Sequence, residues 1–177
     1  LILKEQNKKK LRLFSILSGI AVVEGIKGFS DIQCSLKWPN DIILNNKKIG
    51  GILIETKIKN DATYSVIGIG ININQQEIPK ELQSVASSLR IENSNPVQRE
   101  PLLAFILNEF EKLYESNTDE WVAIWKKYCN HMNKKITFHK NDTLLEGHFI
   151  NIDANGNAII NVDSKETLIS SGVLEIS

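Results

Sequence analysis

Cysteine is scarce: Cys34 and Cys129 are the two in 177 residues, far apart and in no Cys-x-x-Cys spacing. That excludes a disulfide framework and a zinc ribbon, and it favours a reducing, cytoplasmic setting. No charge of one sign prevails either. Lysine and arginine total 21 and aspartate and glutamate total 21, so zero net charge gives no bulk electrostatic case for nucleic acid or an acidic membrane. No apolar run approaches the length of a bilayer span, and Leu1 to Lys10 lacks the apolar stretch of a signal peptide. His131, His139 and His148 make no metal set, and no Ser-His or Cys-His arrangement marks a nucleophile. The sole methionine is Met132, and "LILKEQ" at Leu1 reads as the tail of a strand already under way, so the sequence is expected to lack its natural start.

What is present is a chain 42% hydrophobic and 24% charged, long enough for one substantial core and a small second one. Leu13, Leu17, Ile20, Val23 and Ile26 fall near helical spacing, and Gly28 reads as the stop of that helix. Ile32 to Trp38 alternates as a strand that delivers Lys37 at its end before Pro39 closes it. Ile42 to Leu44 and Ile49 to Thr56 read as strands joined by the hairpin "NNKK", and Ala62 to Asn74 follows as a third, an antiparallel meander. "NPVQREPLLAFILNEFEKLYES" predicts a helix starting at Asn95 and Pro96. A second follows with Asn117 and Glu120 spaced as a capping box and Trp121, Ile124, Trp125 and Tyr128 on one side. After Asn133 the pattern becomes short alternating strands around the turn "DANG", Asp153 to Gly156. The fold class is α+β: a mixed, largely antiparallel sheet with packed helices, then a small β-barrel, with domains at 1–132 and 133–177.

The stretch "SLKWPNDIILNNKKIGGILIE" carries the chemistry. A proline after the tryptophan fixes the backbone just past the strand end, so Lys37 is aimed by a rigid neighbour. Gly50 and Gly51 bare one strand and Gly68 and Gly70 the next, so two strands present one floor where a backbone runs against a ligand. A cation beside an apolar, glycine-floored slot suits a small ligand with an apolar body and an acidic end. The same residues also admit a solvated strand-end lysine and glycines that mark bulges. "GIGIN" lacks the third glycine and the following helix of a dinucleotide fingerprint.

"KWPNDIIL", then "KKIGGILIE" and "IGIGININ", resembles the catalytic domain of biotin protein ligases, and "ASSL", Ala86 to Leu89, resembles the small-residue segment after that family's last sheet strands. The likeness covers essentially the whole chain, and the end resembles the family's small SH3-like barrel. The resemblance implies a class II synthetase-like architecture and two steps. The carboxylate of biotin attacks the α-phosphate of ATP, with Mg2+ as cofactor, and a lysine of a carboxylase's biotin acceptor domain then takes the acyl group. It implies Lys37 as the catalytic cation and Trp38, Asn40, Asp41, Gly50, Gly51, Ile52, Leu53, Gly68, Ile69, Gly70, Asn72 and Asn60 as substrate-binding residues. Asp41 is also the one residue offered for magnesium. For Asn40, Asp41, Asn72 and Asn60, turn and strand-end roles stand beside the ligand roles.

The family's Gly/Arg-rich loop is not found in these 177 residues, where Arg12, Arg90 and Arg99 all lie outside glycine-rich runs. The expectation is therefore an impaired fragment that lacks the loop, with no DNA-binding domain, no nucleic acid or membrane partner, and a homodimer in the family's manner. A lipoate or octanoate ligase and a non-catalytic binding fragment are the alternatives.

Overall fold

The computed structural model describes residues 1–60, 62–140 and 143–176. Strand β1 (Ile2–Lys4) leads into helix α1 (Lys8–Ser30), whose first turn is capped by the Asn7 side chain accepting from the amides of Lys9 and Lys10 at 2.9 and 3.3 Å. The helix does not stop at Gly28. A Cβ there would stand 3.2 Å from the Phe105 ring, so that glycine makes room for a neighbour, and the stop falls at Asp31, which takes the left-handed conformation at φ 56°. At 23 residues α1 is long and apolar enough to cross a bilayer, contrary to the expectation from the sequence. Leu13, Phe14, Leu17, Ile20 and Ile26 are wholly buried, so its apolar length serves the protein core.

Strands β2 (Ser35–Lys37), β3 (Asp41–Leu44), β4 (Lys47–Lys59) and β5 (Ala62–Ile71) complete an antiparallel sheet in the order β1-β5-β4-β3-β2. Asn45 and Asn46, at φ 50° and 64°, make the two-residue hairpin turn between β3 and β4. β5 ends three residues before its expected limit of Asn74, because the Asn72 backbone amide donates to the Ile49 carbonyl at 2.7 Å and its side-chain amide donates to the Ser87 backbone carbonyl at 3.0 Å.

Helices α2 (Leu89–Asn93), α3 (Arg99–Glu115) and α4 (Thr118–Tyr128) follow. α3 starts at Arg99 and not at Asn95, since Asn74 grips Val97 through both its amide and its carbonyl, at 2.9 and 2.8 Å, and holds that approach extended. Helices α3 and α4 pack on α1. Gly25 lets α3 come so near that a Cβ would stand 2.8 Å from the Ile106 Cα. Asn117 caps α4 through the Asp119 amide.

The last five strands, β6 (Lys135–Lys140), β7 (Thr143–Ile152), β8 (Ala158–Val162), β9 (Lys165–Ile169) and β10 (Leu174–Ile176), form a second antiparallel sheet ordered β10-β6-β7-β8-β9. The two sheets share one core. Trp38 and Trp125 lie with Phe149 and Ile136 in it, and the Asn130 amide donates to the Leu36 carbonyl at 3.0 Å. Ser177, the last residue of the predicted second domain, lies outside the described residues.

Candidate functional site

Register brings the site together. Lys37 lies opposite Asp41, Asp41 opposite Gly51, and Gly51 opposite Gly70, one residue on each of four neighbouring strands. Directly opposed residues of antiparallel strands share a face. The other face belongs to the core: at Gly19 of α1 an added Cβ would meet Leu36 at 3.1 Å and Ile52 at 3.5 Å. Lys37, Asp41, Gly51 and Gly70 therefore line up on the face turned away from α1, with the opposed pair Leu53 and Gly68 one row on.

The glycines of this region are of two kinds. A Cβ at Gly50 would stand 2.6 Å from the Gly70 carbonyl oxygen, so Gly50 is required by the close approach of β5. At Gly51, Gly68 and Gly70 the nearest atoms would be 3.5, 3.6 and 3.9 Å away, ordinary contact. The fold has room for a methyl at all three, so packing does not require glycine there. They line a shallow hollow of about 420 Å³ with Asn40 and Leu53. Lys37, Asp41, Lys48, Asn130 and Lys134 line an adjoining cleft of about 820 Å³ between the two sheets. One end of this surface is bare backbone and the other carries three ammonium groups together with the carboxylates of Asp41 and Glu175.

Several expected residues have other engagements. Trp38 is buried, and its indole N–H donates to the Gly156 carbonyl at 2.9 Å, so its side chain ties the motif to the second sheet. The Asn40 side-chain amide donates to the Ile52 carbonyl at 2.7 Å while the Asn40 backbone carbonyl accepts from the Ile52 amide at 3.0 Å, which clamps the turn after Pro39 to β4. Asn72 pins the Ser87 segment. Ile52 and Ile69 direct their side chains toward α1, leaving only their backbone to the floor. Asn60 sits in the turn closing the β4–β5 hairpin, roughly 30 Å along the strand from Gly51 at about 3.3 Å per residue. It is not part of this site. Asp41 has Lys48 Nζ at 2.5 Å, and no group of three His, Cys, Asp or Glu side chains suited to a metal occurs among the described residues. The expected magnesium role of Asp41 therefore has no ligand set around it.

Lys48, Asn130 and Lys134 went unread in the sequence. Lys48 looked like hairpin polarity, and the other two lie about a hundred residues from Lys37 with no motif to mark them. Next to them His131 is wholly buried, edge-on to Phe149 at 4.2 Å, with Nδ1 3.0 Å from Asn130 Oδ1. Burial, reinforced by the charges of Lys37 and Lys134, pushes its pKa down to about 4, so at neutral pH it is uncharged. Burial likewise raises the Cys129 thiol to about 11 and Cys34 to about 12, which leaves both unreactive.

Residues 1–72 match the model of the Biotin/lipoate A/B protein ligase family. The bifunctional ligase/repressor BirA of Bacillus spizizenii is 32% identical over 175 residues, which is 95% of this chain and 54% of that protein. The Escherichia coli BirA is 27% identical over 154 residues, 84% of this chain and 48% of that protein. The chain thus spans about half the length of the curated relatives it matches. Among solved structures, the biotin protein ligase of Aquifex aeolicus superposes with a TM-score of 0.84 at 25% identity over 99% of this chain and 81% of that one.

Proposed function

We propose that this chain, whose residues 1–72 match the biotin/lipoate A/B protein ligase family, is a biotin protein ligase, joining biotin to AMP and passing it to a carrier lysine. The observation that carries this reading is the row Lys37, Asp41, Gly51 and Gly70: a cation at one end and, at the other, a bare backbone with unused room. A fused-ring, largely apolar body fits flat on Gly51, Gly68 and Gly70, and its side chain then carries the carboxylate toward the lysines.

In the first step a carboxylate oxygen attacks the α-phosphorus of ATP and the bond to the β-phosphate breaks, with pyrophosphate leaving with the electron pair. Lys37 faces the carboxylate and the charge that gathers on the phosphoryl oxygens, and stabilises it electrostatically without taking a proton. In the second step the neutral amine of the carrier lysine attacks the mixed-anhydride carbonyl carbon, the bond to the phosphate oxygen breaks with AMP leaving with the electron pair, and the nitrogen's surplus proton passes to solvent. Neither step requires a protein nucleophile. Among the described residues no group of three His, Cys, Asp or Glu side chains would cage magnesium, and no step here is routed through that metal.

The same proposal assigns residues 1–132 to the catalytic part and 133–177 to the smaller C-terminal part. The partner is the biotin acceptor domain of a carboxylase, the compartment the cytoplasm, and the assembly a homodimer. The Aquifex ligase has been solved in complex with biotin and ATP, and the superposition at a TM-score of 0.80 supports the same pair of substrates here. The test supplies ATP with biotin, lipoate or octanoate to the protein expressed at its natural length and follows pyrophosphate release and acyl-adenylate. Biotin-dependent release is expected. Turnover only with lipoate or octanoate would reassign the substrate, and no turnover with any of the three would remove the activity.

A further inference from the structure

Lys48 stands where the alternation of its strand would not put it. Ile42 pairs with Gly50 and Ile43 with Lys48, so Ile49 is an extra residue, a β-bulge in β4. Counting back regularly from Gly51 would send Lys48 to the core side with Gly50 and Ile52. The bulge keeps Ile49 wholly buried and turns Lys48 onto the glycine face, where a Cβ on Gly51 would lie 3.5 and 3.6 Å from its Cε and Nζ. A second segment fixes the backbone at this point. The Lys48 amide donates to the Val85 carbonyl at 2.8 Å, and its carbonyl accepts from the Ser87 amide at 3.0 Å, so the strand is gripped from the outside by the start of "ASSL". The ammonium group rests on Asp41, whose other cross-strand neighbour is Lys37.

A stabilising role does not account for this arrangement. The Lys48 side chain is half exposed, and ion pairs with such a member contribute about 0–1 kcal/mol. A bulge that interrupts the ladder and a crossing strand that clamps it are a large apparatus for so small a gain. Their joint effect is to hold a second cation at the junction of the bare floor and the cationic cleft, within one flexible side chain's reach of a ligand on Gly51. Lys37, Lys48 and Lys134 line the cleft against the carboxylates of Asp41 and Glu175, so an incoming anion meets positive charge that those two only partly balance.

Resting on the function proposed above, we propose that Lys48 is a second ligand-reading cation: it leaves Asp41 to contact the carboxylate of the bound acid and so selects the acid over its neutral analogues. Asp41 is then the resting place of the ammonium group when no ligand is present, and the bulge at Ile49 is the device that aims it.

The experiment compares binding of biotin and of biotinol, the alcohol that lacks the charge, by calorimetry to the natural-length protein and its Lys48→Met and Lys48→Arg variants, with thermal melting as the control for folding. Lys48→Met is expected to weaken biotin by about tenfold or more, ~1.4 kcal/mol, while biotinol stays within about twofold. Lys48→Arg, which keeps the charge, is expected to recover most of the difference. An unchanged biotin-to-biotinol ratio in a folded Lys48→Met would overturn this inference alone. An equal loss for both ligands would also overturn it, by making Lys48 part of the floor's framework. A wild-type protein that binds neither ligand would overturn the proposed function along with it.

Discussion

The two faces of the first sheet are written in the same strands and obey different rules. Toward α1, Leu36, Ile42, Ile52 and Ile67 are all buried to within a few per cent and every side chain touches another. Toward the cleft the same strands carry Lys37, Asp41, Gly51, Gly68 and Gly70, with space left between them and Leu53 64% exposed. On the core face composition follows volume. On the open face it departs from what packing asks: glycine where the fold has room for a side chain, and lysines gathered at the other end.

The largest expected effect breaks the open face and leaves the other alone. Lys37→Ala removes a half-buried strand-end side chain that takes no part in the core, so the melting temperature should stay nearly unchanged. Loss of one preorganised charge contact costs about 2.7–4 kcal/mol at a transition state, so acyl-adenylate formation should fall by roughly a hundredfold to a thousandfold. Single-turnover measurement of adenylate checks it. A variant with near-normal turnover would detach Lys37 from the chemistry and with it the claim that the open face is the site.

The next effect probes the boundary where the faces meet the second sheet. His131 has its pKa depressed to about 4 by burial and by Lys37 and Lys134, against an ordinary value of 6.5. The unfolded chain therefore binds the proton first. Stability is fully present above about pH 6.5 and is lost as pH falls toward 4, by about 3 kcal/mol at ~1.4 kcal/mol per unit. Urea unfolding followed between pH 7.5 and 4.5 should show this slope, and His131→Gln should remove most of it. A slope that persists in His131→Gln would assign the acid sensitivity to carboxylates.

Much of the core face was legible in the sequence, because burial there follows from periodicity. Leu13 to Ile26 spelled a buried helix, and the Val-Ile alternation of Ala62 to Ile71 spelled a strand. The open face was legible only in part. Lys37 and the paired glycines were found, yet Lys48 was not, since a bulge reverses the face of every residue before it and no local signal announces one. Trp38 was given a ligand role because its partner, Gly156, lies 118 residues away and the contact exists only after the second sheet docks. Asn60 was placed in the site because sequence distance from Glu55 is short, whereas strand geometry carries it to the far end of the hairpin. The start of α3 slipped by a few residues because the clamp from Asn74 on Val97 is tertiary and outweighs the helix-start pattern of Asn95 and Pro96.

The smallest effect gives the sharpest comparison, since it sets two adjacent residues of one type on opposite faces. Gly50 faces the core and Gly51 the cleft, and nothing in the letters "GG" tells them apart. A methyl on Gly50 would press to 2.6 Å on the Gly70 carbonyl, which is backbone and cannot turn aside, so Gly50→Ala should destabilise the fold by about 1–3 kcal/mol as overpacking does. A methyl on Gly51 meets first the end of the Lys48 side chain at 3.5 Å, which is free to move. Because glycine inside a strand is itself unfavourable by roughly 0.5–1 kcal/mol relative to alanine, Gly51→Ala should leave stability unchanged or raise it slightly. Ligand binding should run the other way. The folded fraction of Gly50→Ala should retain biotin affinity, while Gly51→Val, with a branched side chain standing on the floor, should lose about tenfold or more, ~1.4 kcal/mol. Denaturant midpoints and calorimetric affinities on the same preparations give both readings. If Gly51→Val melts early and its folded fraction still binds biotin normally, Gly51 is a packing residue like its neighbour, the floor lies elsewhere, and the difference between the two faces is one of degree.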